Sequence, residues 1–332
     1  MEETLAIKKH REWNGKIEVV PKAPVSTSEE LSIAYTPGVA EACLAIRDNK
    51  EESFNLTARN NMIAVVTDGT AILGLGDIGP EAGMPVMEGK CALFKAYGGV
   101  NAVPLCLDTK DTEEIIRTVK ILAPSFGGIN LEDIAAPRCF EIETRLKQEL
   151  NMPIFHDDQH GTAIVVGAAL INALKIVKKD VHDITVAISG AGAAGTAIGK
   201  FLLNMGVKDV VFCNSKGIID RKQKYNSKAL EELSLISNKE NISGTLRDAM
   251  KGKDLFVGVS VAGLVDQDMV RSMAKDPIVF ALANPVPEIS YEDALAAGAK
   301  VVGTGSSKSP NQINNVLVFP GIYKQVGNIL IL

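Results

Sequence analysis

The chain has 332 residues, 46% of them hydrophobic and 23% charged, and its 29 glycines follow no three-residue period. A chain this apolar can bury a large core, which excludes disorder, and the glycine pattern excludes a collagen-like rod. The formal net charge is −5 without a basic block, so nucleic acid and anionic membranes are poor partners. Cys43, Cys91, Cys106, Cys139 and Cys213 are scattered and odd in number, and read as buried reduced thiols rather than disulfides. The start, Met1-Glu2-Glu3-Thr4-Leu5, has no apolar signal core. The longest apolar stretch, 162–177, falls short of the roughly 20 residues that span a bilayer. The cytoplasm is the expected address.

Short β-rich runs predict strands over 62–67, 100–107, 152–155, 184–189, 210–213, 255–260, 278–283 and 300–303. Helical patterns lie between them at 91–97, 112–122, 137–150, 161–179, 193–205 and 264–274, with Thr112 before Glu113 and Glu114 as a helix start. This alternation predicts βαβ units and largely parallel sheets, an α/β fold. No Pro/Ser-rich linker marks a boundary. A division near residue 160 separates a first domain, 1–160, from a second, 161–332, with more regular βα units.

The second half opens on an apolar strand that runs into Gly190-Ala191-Gly192-Ala193-Ala194-Gly195, then a helix, then a second strand. A lone glycine motif is weak, but here strand, glycines, helix and strand stand in the required order. Gly190 permits the turn, Gly192 lets the backbone approach a pyrophosphate, and Gly195 allows close helix–strand packing. The helix start offers free N–H groups to phosphates. A Rossmann-type, doubly wound dinucleotide domain is expected. At the end of the second strand stand Asn214, Ser215 and Lys216 rather than a carboxylate. Asn214 can bond a ribose hydroxyl without repelling a 2′-phosphate, so NAD and NADP both stay open.

Three loops of the first half concentrate polar chemistry. They carry Glu132-Asp133, His156-Asp157-Asp158-Gln159-His160 and Glu88-Gly89-Lys90. Carboxylates gathered at strand ends repel one another unless a cation holds them, and oxygen-only donors favour Mg²⁺ or Mn²⁺. Solvated loop acids are the bland alternative. His156 and His160, without a neighbouring cysteine, read as supporting or packing residues rather than zinc ligands. Lys8, Lys9 and Arg11 read as a solvated face.

Tyr35-Thr36-Pro37-Gly38-Val39-Ala40, Leu73-Gly74-Leu75-Gly76-Asp77-Ile78-Gly79, Glu88-Gly89-Lys90, Leu131-Glu132-Asp133, the 155–162 run, Gly190–Gly195, Ala283-Asn284-Pro285, and Asn314-Asn315 with Phe319-Pro320-Gly321 follow one another in order. Together they resemble the signatures of malic enzymes of the short bacterial type, over nearly the whole chain. The resemblance implies an N-terminal α/β domain of amino-acid-dehydrogenase-like type before the NAD(P)-binding domain. It implies oxidative decarboxylation of L-malate to pyruvate and CO₂, with NAD or NADP and Mg²⁺ or Mn²⁺. By the same likeness Glu132, Asp133 and Asp158 match metal ligands, Lys90 the general base, Tyr35 the general acid and Asp157 the carboxylate that orients the lysine. Asn284 and Asn315 match residues contacting substrate or nicotinamide. A homodimer is expected, in which a site can borrow residues from its neighbour. Lys90 must be neutral to accept the hydroxyl proton, and a buried position near a dication is expected to lower its pKa.

Two departures stand out. Ala71 occupies a place where many members carry a carboxylate-gripping arginine, so Thr70 or a group from elsewhere has to hold that carboxylate. The chain also ends at Gly327-Asn328-Ile329-Leu330-Ile331-Leu332, where members usually continue through further helices. That end reads as short, and a truncation there would impair closure or dimerisation. A malolactic enzyme, retaining its NADH and releasing lactate, and a non-catalytic nucleotide-binding relative are the alternative readings.

Overall fold

The computed structural model describes residues 3–225 and 227–329. Two sheets organise the chain. In the first, β1 (Met62–Thr67), β2 (Asn101–Cys106), β3 (Gly128–Leu131) and β4 (Ile154–His156) run parallel in the order β2-β1-β3-β4. In the second, β5 (Thr185–Ser189), β6 (Asp209–Asn214), β7 (Gly217–Ile218), β8 (Leu255–Gly258), β9 (Ile278–Ala281) and β10 (Val301–Thr304) take the order β10-β9-β8-β5-β6-β7. All neighbours in the second sheet are parallel except β7, which folds back on β6 as a hairpin.

Alternation along the strands explains both cores. Ile63 and Val65 of β1 face one cluster, Ala64 and Val66 another; Val186 and Ile188 of β5 face one side of their sheet and Ala187 the other. Strands buried on both faces read as continuous apolar runs, which is how they showed in the sequence. The helix Thr112–Leu122 lays Ile115, Ile116 and Val119 onto the first sheet, and each fully buried side chain contributes about 1.5–3 kcal/mol. Its cap is Asp111, whose side chain accepts from the Glu114 N–H at 2.9 Å; Thr112 is the first helical residue.

All eight expected strands form, with ends shifted by one or two residues. Two differences concern the site. The helix expected from 161 begins at Asp157 and runs unbroken to Val177, so the acidic segment is a strand end and a first helical turn, not a loop. That helix is also longer than its apolar stretch suggested, 21 residues, enough by length and composition to cross a membrane. Here it packs as a core helix on Ala193–Asn204, where Gly167 admits the Phe201 ring; a Cβ there would lie 2.4 Å from Phe201 Cε1. Lys90 likewise sits inside a helix, Pro80–Leu93, which continues as a π turn over Phe94–Gly98. The expected helix over 264–274 contracts to Gln267–Arg271. Cys91, Cys139 and Cys213 are buried free thiols as read, Cys106 is half-buried, and Cys43 is exposed. The last residues of the end read as short, 330–332, lie outside the described residues.

Candidate active site

The carboxyl ends of β3, β4, β5, β8 and β9 converge on one cleft of about 790 Å³. In α/β sheets, ligands bind beyond these strand ends. From the first sheet and the helices packed on it come Lys90, Glu132, Asp133 and Asp158; from the second sheet and its loops come Gly192–Ala194, Ser260 and Ala283-Asn284; Asn315 and Phe319 also line the cleft.

Lys90 is the centre of charge. Its Nζ lies 2.7 Å from Asp157 Oδ2 and 2.8 Å from Glu132 Oε1, and 4.4 Å from the centre of the Phe319 ring. The lysine is 8% exposed and Asp157 is fully buried. Burial lowers the Lys90 ammonium, but Asp157 and Glu132 outweigh it and hold its pKa above the ordinary lysine range. The expected lowering belongs to the site with a dication beside the lysine, whose charge would oppose that of these two carboxylates.

Glu132, Asp133 and Asp158 each bring an oxygen within 4.8 Å of the others. Asn130 Nδ2 donates to Glu132 Oε2 at 2.8 Å, and the Asp133 backbone N–H donates to Asp158 Oδ2 at 2.8 Å. Asp133 takes a left-handed conformation, φ 51°, which turns its amide onto Asp158. Burial pushes all three carboxyls above their ordinary range; Asp158 adds to the rise of Glu132 and Asp133, while Lys90 opposes it. Three clustered carboxylates, Glu132 and Asp133 buried and Asp158 half-buried, with an ammonium beside them fit a hard divalent cation.

The nucleotide loop has the form its glycines suggested. Gly190 has φ 110°, and a Cβ on Gly195 would stand 1.8 Å from the Gly190 carbonyl oxygen. A Cβ on Gly192 would meet nothing within 4 Å, so the space before it is open to a ligand. The helix Ala193–Asn204 has no side-chain cap at its start, which leaves N–H groups for phosphate oxygens. Asn214 and Ser215 lie at the β6–β7 turn rather than among the cleft-lining residues, and Asn214 Oδ1 accepts from the Lys216 N–H at 2.8 Å. Asn284 belongs to the cleft, beside Gly74: a Cβ on that glycine would lie 2.4 Å from the Asn284 carbonyl oxygen. Asn315 stands next to Gly161 and Asp157.

Matches to family models cover most of the chain: the N-terminal domain of malic enzyme over residues 14–147 and its NAD binding domain over 159–330. The chain belongs to the malic enzyme family. An NAD-dependent malic enzyme of Geobacillus stearothermophilus is 56% identical over 93% of this chain and 65% of its own length. A bifunctional malic/malolactic enzyme of Bacillus subtilis is 54% identical over 96% of this chain and 78% of its own. The crystal structure of an NAD-dependent malic enzyme from Thermotoga maritima superimposes with a TM-score of 0.95 at 47% identity, over 99% of this chain and 88% of that one.

Not every residue expected in a malic enzyme site is gathered by this single chain. Tyr35 ends the helix Ser28–Ala34, is 66% exposed and does not line the cleft. The helices before residue 57 bury none of their residues, so nothing in their own packing presses Tyr35 onto Lys90. Thr70 is also unavailable as a carboxylate grip. Its buried hydroxyl donates to Asp68 Oδ1 and accepts from the Ala135 N–H and from Arg138. Arg138 in turn is paired with Asp68 at 2.8 Å. His10 and Lys16, beside the residues read as a solvated face, line the cleft instead. His156 is fully buried, and burial lowers its pKa to about 4, so the ring is neutral. His160 bonds Glu143 through Nε2 at 2.9 Å. Neither histidine belongs to the carboxylate cluster.

Proposed function

We propose that this chain converts L-malate to pyruvate and CO₂, reducing NAD or NADP with the help of Mg²⁺ or Mn²⁺. The observation that carries this reading is Lys90 held between Asp157 and Glu132, with the three-carboxylate cluster and the open nucleotide loop in the same cleft. Glu132, Asp133 and Asp158 would hold the ion, which when bound supplies Lewis-acid polarisation of the substrate oxygen and offsets the negative charge that keeps Lys90 protonated. Lys90 then accepts the C2 hydroxyl proton as the hydride leaves C2 for the nicotinamide. Asp157 orients the lysine and stabilises the ammonium it becomes. The C3–C4 bond breaks with its electron pair moving to C3, and Tyr35 gives that carbon its proton. The direct test is absorbance at 340 nm with malate, Mn²⁺ and each nucleotide: reduced cofactor and pyruvate should form together and stop in excess EDTA. Absorbance that never rises would refute the reading. Lactate without free reduced cofactor would favour the malolactic alternative, which the bifunctional Bacillus relative keeps in view.

Both nucleotides should serve, since Asn214 neither repels a 2′-phosphate nor forfeits every ribose hydrogen bond. The expected ratio of kcat/KM between them is within about a hundredfold, ~2.7 kcal/mol, and Asn214→Asp should raise the preference for NAD. Absolute selectivity unaltered by Asn214→Asp would place ribose reading elsewhere.

A homodimer suits the N-terminal helices, which expose Leu5, Trp13, Leu31, Ile33 and Leu44. A second copy covering them can also deliver Tyr35 to a cleft that lacks it. Mixing inactive Tyr35→Phe and Lys90→Met chains and letting the subunits re-associate should then restore turnover. No restoration from demonstrably mixed dimers would mean that both residues act within one chain. The mildly acidic charge and the unpaired thiols suit the cytoplasm.

A further inference from the structure

The catalytic reading leaves one buried carboxylate unused. Glu143 lies in the helix Arg138–Glu149 on the same face as Cys139, Ile142 and Leu146, which are buried against the first sheet. A carboxylate on an apolar face is costly unless its oxygens are fully bonded. Here they are. Glu143 accepts from the His156 backbone N–H at 3.2 Å, from Gln159 Nε2 at 3.2 Å, from His160 Nε2 at 2.9 Å and from Lys147 Nζ at 2.8 Å.

Three of those four donors belong to residues 156–160, where β4 turns into the helix Asp157–Val177. The start of that helix has no cap of its own, because His156 gives it no side-chain hydrogen bond. Its first turn is therefore located from outside, and Glu143 is the group that grips it on the side away from the cleft. On the cleft side the same turn presents Asp157 to Lys90 and Asp158 to the Asp133 amide. We propose that Glu143 is a positioning residue: it fixes the 156–160 junction so that Asp158 completes the divalent-cation site and Asp157 meets the base. The proposal rests on the catalytic reading above but is tested apart from it. Burial raises the Glu143 pKa, but the bonds from His160 and Lys147 outweigh this and keep the carboxyl below its ordinary range, and so ionised.

Glu143→Gln keeps the shape but loses the charge and one acceptor oxygen: an amide nitrogen in place of Oε1 fails the His156 N–H and Lys147, and in place of Oε2 it fails Gln159 and His160. Mn²⁺ binding is measured without malate or nucleotide, from the electron paramagnetic resonance signal of the free ion. The Mn²⁺ dissociation constant should rise about tenfold or more, the usual scale for a group that orients a metal ligand. The kcat on malate should fall with it, and the malate KM should change little. Melting in EDTA establishes that the variant is folded. His160→Ala removes only one of the four bonds, at a partly exposed position, and should give a smaller rise of the same sign. Folded Glu143→Gln with the parental Mn²⁺ constant and kcat overturns the proposal. If Glu143→Gln does not fold, His160→Ala decides: a raised constant supports the proposal and a parental one overturns it. A parent that binds Mn²⁺ but leaves malate unchanged would sink the catalytic reading alone, with the Mn²⁺ titration still deciding the role of Glu143. A parent that binds no Mn²⁺ overturns both.

Discussion

Lys90→Met should lower kcat on malate about a thousandfold, ~4 kcal/mol of transition-state stabilisation, within the range expected for loss of a general base. Methionine fills a similar volume and can rest on the Phe319 ring, so the loss reports the amine rather than a hole. Lys90→Arg should not rescue, because guanidinium stays protonated at any pH the fold survives and cannot accept the hydroxyl proton. The substitution also removes the ammonium between Asp157 and Glu132, both buried. Those carboxyls, already raised by burial, should then take up protons rather than remain as bare buried charges. Proton uptake on folding, compared with the parent by calorimetry in two buffers, reads this directly. Parental kcat in Lys90→Met would remove the lysine from the chemistry.

The sheets were legible because their strands are apolar on both faces: Val65, Val66, Val186 and Ile188 announce themselves without any knowledge of partners. The nucleotide loop was legible for a related reason, since Gly190, Gly192 and Gly195 each answer a local steric demand. Gly128–Leu131 was harder to find. It is only four residues long, begins with a glycine and carries the polar Asn130, so its pattern is weak. The helices at Lys90 and at Asp157 reach further than the sequence pattern indicates. Gly89 looks like a loop residue yet lies inside a helix, and Gly161, expected to start one, lies in its second turn, where a Cβ would meet Asp157 Oδ1 at 1.9 Å, a reason that periodicity cannot see. Glu143 left a signal that went unused: a lone acid among Cys139, Ile142 and Leu146 on the buried stripe of an amphipathic helix. The placement of Tyr35 could not have been read at all. It depends on what the unburied helices before residue 57 pack against, which no local pattern encodes.

Gly161→Ala sets two effects of opposite sign against each other at the turn that holds Asp157. Alanine in a helix interior is favoured over glycine by about 1 kcal/mol, so on helical propensity alone the variant should be more stable. A Cβ at 161, however, would lie 1.9 Å from Asp157 Oδ1 and 3.1 Å from the Asn315 Cβ. The first contact is far inside van der Waals distance, and the oxygen it meets, though the end of a side chain with no bond of its own, belongs to a carboxylate held through its other oxygen. Asp157 is fully buried, and its other oxygen is bonded to Lys90 at 2.7 Å. Relief requires either rotating the carboxylate off Lys90 or tilting the first helical turn, which also carries Asp158 away from Glu132 and Asp133. Overpacking of this kind costs about 1–3 kcal/mol, which outweighs the helical gain. Gly161→Ala should therefore melt below the parent, and its kcat should fall at least tenfold, about 1.4 kcal/mol, through a misaligned base. Serine at 161 should do no better, since it keeps the offending Cβ. A Gly161→Ala protein that melts higher and turns over malate at the parental rate would show that the Asp157 carboxylate is free to move without cost, and that its bond to Lys90 does not set the geometry of the base.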